Sequence, residues 1–297
     1  MRKKIAIKID VDTKRGYEQG VPNMLDVFQK HGIKASFFFS MGPDNSGKAI
    51  RRIFRKGFLA KMLRTKAPAT YGLKTMLYGT VLPAPLIVGP NPAPFLRAIA
   101  DGHDCGIHCW DHVYWQDKLP VLSEAKIREH LTKACNLFEK LAHQKPRFCG
   151  APGWQTTYKS LKVQQTMGFD FCSDVRGYAP FYPVVEGQEF LPVQIPGTLL
   201  TMDEVLGIMG VTEDNIVDYW LKNCDKPWNV FTIHAEMEGL AKISILDDFI
   251  AKARLQGFEF VLLKEGKKLP NIKKCRIYAG YLPGRAGTVA LQSDPLN

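Results

Sequence analysis

No two of the seven cysteines form a CxxC pair, and an odd number cannot all pair internally, as expected of thiols in a reducing compartment. The chain is therefore placed in the cytoplasm. Its opening, MRKKIAIKIDVDT, has neither a long apolar run nor a small-residue cleavage site, because Lys8 and Asp10 interrupt it. It reads as a strand, not as a signal peptide. Neither GxGxxG nor GxxxxGK[ST] follows any apolar run, which argues against a dinucleotide-binding dehydrogenase or a P-loop enzyme. There is no internal repeat, low-complexity tract or clear interdomain linker. Acidic residues are missing altogether between Asp44 and Asp101, while that interval holds Lys48, Arg51, Arg52, Arg55, Lys56, Lys61, Arg64, Lys66, Lys74 and Arg97. Residues 75–96 carry no charge over 22 positions, but five prolines and two glycines make them a poor membrane-spanning helix.

What is present is the composition of a globular enzyme, 45% hydrophobic and 23% charged. At 297 residues the chain is expected to form one domain with an insertion. Forty basic against 29 acidic residues, a net +11, call for an anionic partner. In KAIRRIFRKGFLAKML (48–63) apolar residues recur at helical period, with basic residues filling the other side. Such a helix is expected to lie on an anionic membrane surface, with Arg51, Arg52, Arg55, Lys56, Phe54 and Phe58 as its contacts. An ordinary core-packed helix with a solvated basic face is the alternative.

Short apolar runs alternate with amphipathic stretches along most of the chain, among them IAIKID (5–10), ASFFFS (35–40), DCGIH (104–108), FDFCSD (169–174), VFTIH (230–234) and FEFVLL (258–263). Strand and helix in turn predict βα units and a parallel sheet, and seven or eight units favour a barrel over an open sheet. Polar residues sit at the ends of these runs: Asp10 and Asp12, His108, Asp174 and His234. In parallel α/β folds ligands bind at that carboxyl edge, so residues scattered in sequence can meet at one mouth.

A hydrolytic metal site needs a few N/O ligands and an open position for water and substrate. The stretch GIHCWDH (106–112) spaces two histidines four apart, an interval that alone is equally that of two polar rings near a turn. With Asp12, His108 and His112 make a two-imidazole, one-carboxylate set suited to several divalent metals. Asp10, two residues before Asp12, shares its strand face and is a candidate general base, and His234 is the opposing acid.

Taken together, IDVDT, HCWDH, APGW, SDVRG and TIHAE resemble the five motif regions of the NodB-type polysaccharide deacetylases. That resemblance implies a metal-dependent amide hydrolase on a distorted (β/α)7 barrel, here with a basic and apolar insertion after the second strand. It gives Asp10 the role of base, Asp12, His108 and His112 the metal, and His234 the role of acid. Longer stretches, including DVDTKRGYEQGVP and QIPGTLLTMDEVLG, resemble a subgroup that removes a formyl group from a formamido-arabinose carried on undecaprenyl phosphate, in the route to modified lipid A and polymyxin resistance.

One departure stands out: APGW (151–154) lacks the arginine that in this family holds the catalytic aspartate. Arg176 in SDVRG is the expected replacement, with Asp174 orienting or tuning His234. Trp110, Trp115, Trp154 and Glu236, with Glu238, are weaker candidates for contact with sugar or product.

The expected organisation is a barrel over residues 1–263, an interfacial insertion at about 42–95, and a tail at 264–297 whose path the sequence leaves open. The expected cofactor is one divalent metal, with zinc, cobalt and manganese undecided. The expected partners are a polyprenyl-phosphate-linked sugar and the anionic cytoplasmic face of the inner membrane, not nucleic acid. N-deacetylation of peptidoglycan or another glycan is the alternative activity. A non-catalytic nucleic-acid binder, suggested by charge alone, ranks below both, because no recognised module accompanies the charge.

Overall fold

In the computed structural model, residues 2–49 and 72–296 are described. The expected membrane contacts Arg51, Arg52, Phe54, Arg55, Lys56 and Phe58 lie outside the described residues. The first strand, β1 (Lys4–Val11), shows how the fold is specified. Successive side chains of a strand point to opposite faces. Ile5, Ile7, Ile9 and Val11 accordingly join the large cluster packed under the helices, whereas Ala6 joins a second cluster inside the sheet's curl. Lys8 and Asp10 share that inner face.

Helix α1 (Val21–His31) follows, with proline in its first turn and Gly32 closing it in the left-handed region at φ 62°. Then come β2 (Ser36–Ser40), buried throughout, α2 (Ala93–Ala100) and β3 (Asp104–Cys109). Helices α3 (His112–Lys118) and α4 (Glu124–Ala142) are capped by Asp111 and Ser123 respectively. Strand β4 (Phe148–Cys149) leads to α5 (Tyr158–Met167), which opens on a Thr157–Ser160 capping box. Four short strands follow: β5 (Phe171–Cys172), β6 (Phe181–Val185), β7 (Gln188–Glu189) and β8 (Val193–Gln194). After them lie α6 (Met202–Val205), α7 (Ile216–Asn223), β9 (Trp228–His234), α8 (Ile243–Leu255) and β10 (Glu259–Val261).

Strand β1 runs parallel to β9 on one side, and to β2 and β10 in succession on the other. The parallel ladder continues from β2 through β3, β4 and β5 to β8. Beyond β8 the backbone N–H groups of Thr198 and Leu199 donate to Val230 O in β9, so the sheet curls towards a barrel without a regular last ladder. The expected distorted α/β barrel is therefore the fold. Phe38, Phe148, Phe171, Trp228 and Val230 fill its interior below the polar residues.

The path of the tail is now defined. Strands β11 (Lys273–Gly280) and β12 (Val289–Pro295) form an antiparallel pair, and β11 extends the sheet alongside β6. Part of the insertion also packs on the body, since Ile87 and Val88 are buried in the large core cluster, and its two ends are joined where Asp44 N donates to Pro85 O and Ile87 N donates to Gly42 O. Among the described residues no helix is long and apolar enough to cross a membrane.

Strands β3 and β4 approach closely at Gly106, where a Cβ would lie 2.4 Å from the Phe148 ring and 2.6 Å from its carbonyl oxygen. Gly106→Ala should therefore destabilise the protein by about 1–3 kcal/mol, the usual cost of overpacking. A urea midpoint equal to that of the native protein would show that the two strands separate freely.

Candidate active site

The pleat carries Lys8 and Asp10 up the inner face of β1, and Asp12 follows where the strand ends. Strand β9 runs parallel in register, pairing Asp10 with His234 at the same height. On β3, Ile107 and Cys109 face the helices while Gly106 and His108 face inward. The chain then turns through Trp110 and Asp111, and Asp111 accepts from Tyr114 N to start α3, whose first residue is His112. The four-residue histidine interval thus spans a strand end and a helix start. Asn45 bonds Asp111 at 2.7 Å and ties the loop after β2 to this turn.

His108 Nε2 lies 3.3 Å from Asp12 Oδ1, and His112 Nε2 lies 3.2 Å from Asp12 Oδ2. One ligand atom from each residue falls within 4.8 Å of the others, a spacing that suits a shared cation. Asp12 Oδ1 and His108 Nδ1 are buried without a hydrogen-bond partner among the described residues. Burial pushes His108 down to about 4, which keeps its imidazole neutral and able to ligate. Burial alone would raise Asp12, but His112 and His108 outweigh it and hold its carboxyl well below the usual range. The donor set fits a divalent metal.

Asp10 is held by Lys8, which is fully buried and donates to both carboxylate oxygens at 2.6 and 2.7 Å. This corrects the expectation for Arg176. Arg176 is buried too, but its guanidinium is committed to Glu204 at 2.9 and 3.1 Å and to Leu199 O at 2.7 Å. The signal for Lys8 lay in K-x-D-x-D, a period-two run placing a cation on the same face as both aspartates.

Asp174 also has another partner. Its main chain and carboxylate both bond the Gln194 amide, and burial raises it to about 6. The carboxyl group that engages His234 is that of Glu238, which accepts from His234 N at 2.8 Å and is pushed up to about 7 by burial. Glu236 is buried as well, with Oε2 unpartnered among the described residues, and burial followed by the charges of Asp12 and Asp44 raises it well above the ordinary range.

The tryptophans separate. Trp110 is partly exposed above Gly42, where a Cβ would lie 2.6 Å from its ring. Trp115 is 1% exposed and donates to Gln155 O at 3.2 Å, which makes it a core residue and corrects its expected contact with substrate. Trp154 is nearly buried, with cations against its ring.

The family model for polysaccharide deacetylase matches residues 2–172. A probable 4-deoxy-4-formamido-L-arabinose-phosphoundecaprenol deformylase of Shewanella sediminis is 40% identical over 265 residues, covering 88% of this chain and 85% of that protein. A protein of the same description from Wigglesworthia glossinidia brevipalpis is 32% identical, covering 93% and 98%. In fold, a polysaccharide deacetylase from Mycobacterium smegmatis superposes with a TM-score of 0.63 at 16% identity, covering 90% of this chain and 91% of that one. An acetyl xylan esterase from Clostridium thermocellum, solved with cobalt, superposes with a TM-score of 0.52 at 15% identity, covering 91% and 93%. The chain belongs to the polysaccharide deacetylase family and is a hydrolase of amide C–N bonds. Within that family its sequence is similar to the formamido-arabinose deformylases.

Two outcomes test this geometry. Lys8→Met leaves Asp10 buried without its cation, so it should cost about 3–5 kcal/mol of stability, read as a lower urea midpoint. Glu238 is raised from 4.5 to about 7 in the folded protein, so its contribution to stability is full below 4.5 and is lost as pH rises through 7. Glu238→Gln keeps an acceptor for His234 N and should flatten the fall of the unfolding midpoint between those pH values. A decline as steep as the native protein's would contradict the assignment.

Proposed function

We propose that this protein is a metal-dependent deformylase that removes the N-formyl group from a 4-formamido sugar linked through phosphate to a polyprenol, giving formate and the amino sugar lipid. The observation that carries the reading is the convergence of Asp12, His108 and His112 beside the Lys8–Asp10 pair, with His234 level with Asp10 on the adjacent strand. The names of the two relatives favour a formamido substrate over an acetamido one. Such a substrate would place the chain in lipid A modification.

Asp12, His108 and His112 would hold the cation, which supplies Lewis-acid polarisation of the formyl carbonyl and makes water a better nucleophile near neutral pH. Asp10 takes the proton from the attacking water. Lys8 keeps Asp10 aimed, since a carboxylate with both oxygens bonded to an ammonium has little freedom to turn. His234, on the neighbouring strand, delivers a proton to the departing nitrogen, so that a neutral amine leaves. The C–N bond breaks as the C–O bond of formate is completed. Glu238 holds the backbone at His234.

Attachment at a membrane surface is supported by the insertion. Leu73 and Val81 are 73% and 77% exposed, and Leu77, Leu86 and Leu96 are also exposed. Apolar side chains of this kind, next to the basic stretch 48–66, suit an anionic bilayer at which a polyprenyl tail stays embedded. This reading places the enzyme at the cytoplasmic face of the inner membrane.

Incubation with the formamido-arabinose lipid and its acetamido analogue should release formate well ahead of acetate, and acetate in excess would favour N-deacetylation. Asp10→Asn and His234→Ala should each lower turnover by about 10²-fold or more while retaining the native metal content. Asp12→Ala should lose metal as judged by elemental analysis. Full turnover in either of the first two variants would remove its assigned role.

A further inference from the structure

We infer that Arg285, carried by the loop between β11 and β12, binds the phosphate of the substrate and sets the preference for a phosphate-linked sugar. The inference rests on the proposed deformylase function and assigns the group that recognises the linker. Arg285 reaches the Trp154 ring from the last hairpin. It donates to Gly153 O at 3.2 Å, and its guanidinium carbon lies 4.5 Å from the centre of the Trp154 ring. The same indole touches Arg176 at 4.7 Å and Lys8 at 5.7 Å. A single tryptophan therefore separates Arg285 from the Lys8–Asp10 pair.

The two arginines are not equivalent. Both address one carboxylate, Glu204, whose Oε2 also accepts from Thr201 N. Arg176 takes it at 2.9 and 3.1 Å and is 3% exposed, whereas Arg285 is left with a single 3.4 Å contact and a side chain 10% exposed. One negative charge shared by two guanidiniums leaves one positive charge weakly compensated in a largely buried place. That is unfavourable for folding alone and favourable for an arriving anion. A guanidinium offers five donors in a planar fork that matches phosphate oxygens, so Arg285 can meet a phosphodiester with the donors it has not committed.

The loop holds Arg285 ready. Gly284, at φ 71°, lies against α6, where a Cβ would be 2.1 Å from Glu204 O, so no larger residue lets the loop sit so close. A sugar whose formamide lies at the metal ligands carries its anomeric phosphate on the opposite side of the ring. Arg285 stacks on Trp154, the ring that also meets Lys8.

The test compares kcat/KM for two formamido-arabinose substrates, a short-chain prenyl phosphodiester and a neutral methyl glycoside, using the full chain loaded with metal. The native protein should favour the phosphodiester. Arg285→Gln should reduce that ratio by about tenfold or more, chiefly through KM, as expected for the loss of a charge-assisted bond. Arg285→Lys, which keeps the charge but not the fork, should restore part of it. Thermal melts of both variants report whether the hairpin stays docked. Equal loss on both substrates, with the ratio at its native value, would make Arg285 a structural latch on Trp154 and overturn the inference. Failure of the native protein to release formate from either substrate would instead overturn the deformylase reading itself.

Discussion

A lysine at the centre of a barrel has to be paired. Lys8 is fully buried between Phe38 and Trp154, and the carboxylate that meets it is Asp10. Removing an ion pair of this kind from water is expensive unless its geometry is good, and breaking it costs several kcal/mol because a bare charge is left behind. The rest of the site is arranged around that constraint. The pleat of β1 sends Lys8 and Asp10 to one face and Ile7 and Ile9 to the other, and in-register pairing brings His234 level with Asp10. A one-residue slip of β1 would turn all of these side chains out towards the helices.

The proposed metal ligands depend on the same strand but are fixed from a second direction. Asp12 lies at the end of β1, while His108 and His112 come from β3 and the start of α3, joined by a turn that Asp111 caps. Asp12 thus has two basic rings as neighbours and Asp10 has an ammonium, so two carboxylates of similar sequence context are separated in role by what touches them. Around them lie Glu236 and Glu238, buried acids whose pKa values burial raises.

Much of this was legible in the sequence because the signal was local. The alternation of strand and helix, the strand ends at Asp10, His108 and His234, and the His108–His112 interval are periodic patterns that survive without coordinates. The partner of Asp10 escaped for an identifiable reason. Lys8 was read as an interruption of an apolar run, when its spacing of two from Asp10 put both on the inner face of a strand buried on both sides. Arg176 was the more obvious cation, but its bond to Glu204 depends on α6, which is distant in sequence. Trp115 lies beside the motif yet points into the core, where its indole finds Gln155 O, a partner some forty residues away that the local sequence does not reveal. Arg285 could not have been placed, because its position follows from β11 pairing with β6, a contact across some ninety residues.

The central claim is that one cation sits among Asp12, His108 and His112 while Asp10, tethered to Lys8, stays off it. Anomalous diffraction from crystals soaked in cobalt or zinc tests this most directly. The account expects one strong peak at roughly 2.0–2.3 Å from a carboxylate oxygen of Asp12 and from one nitrogen of each histidine, with Asp10 still on Lys8. A peak bound by Asp10 in place of Asp12, or none near the two histidines, would contradict it.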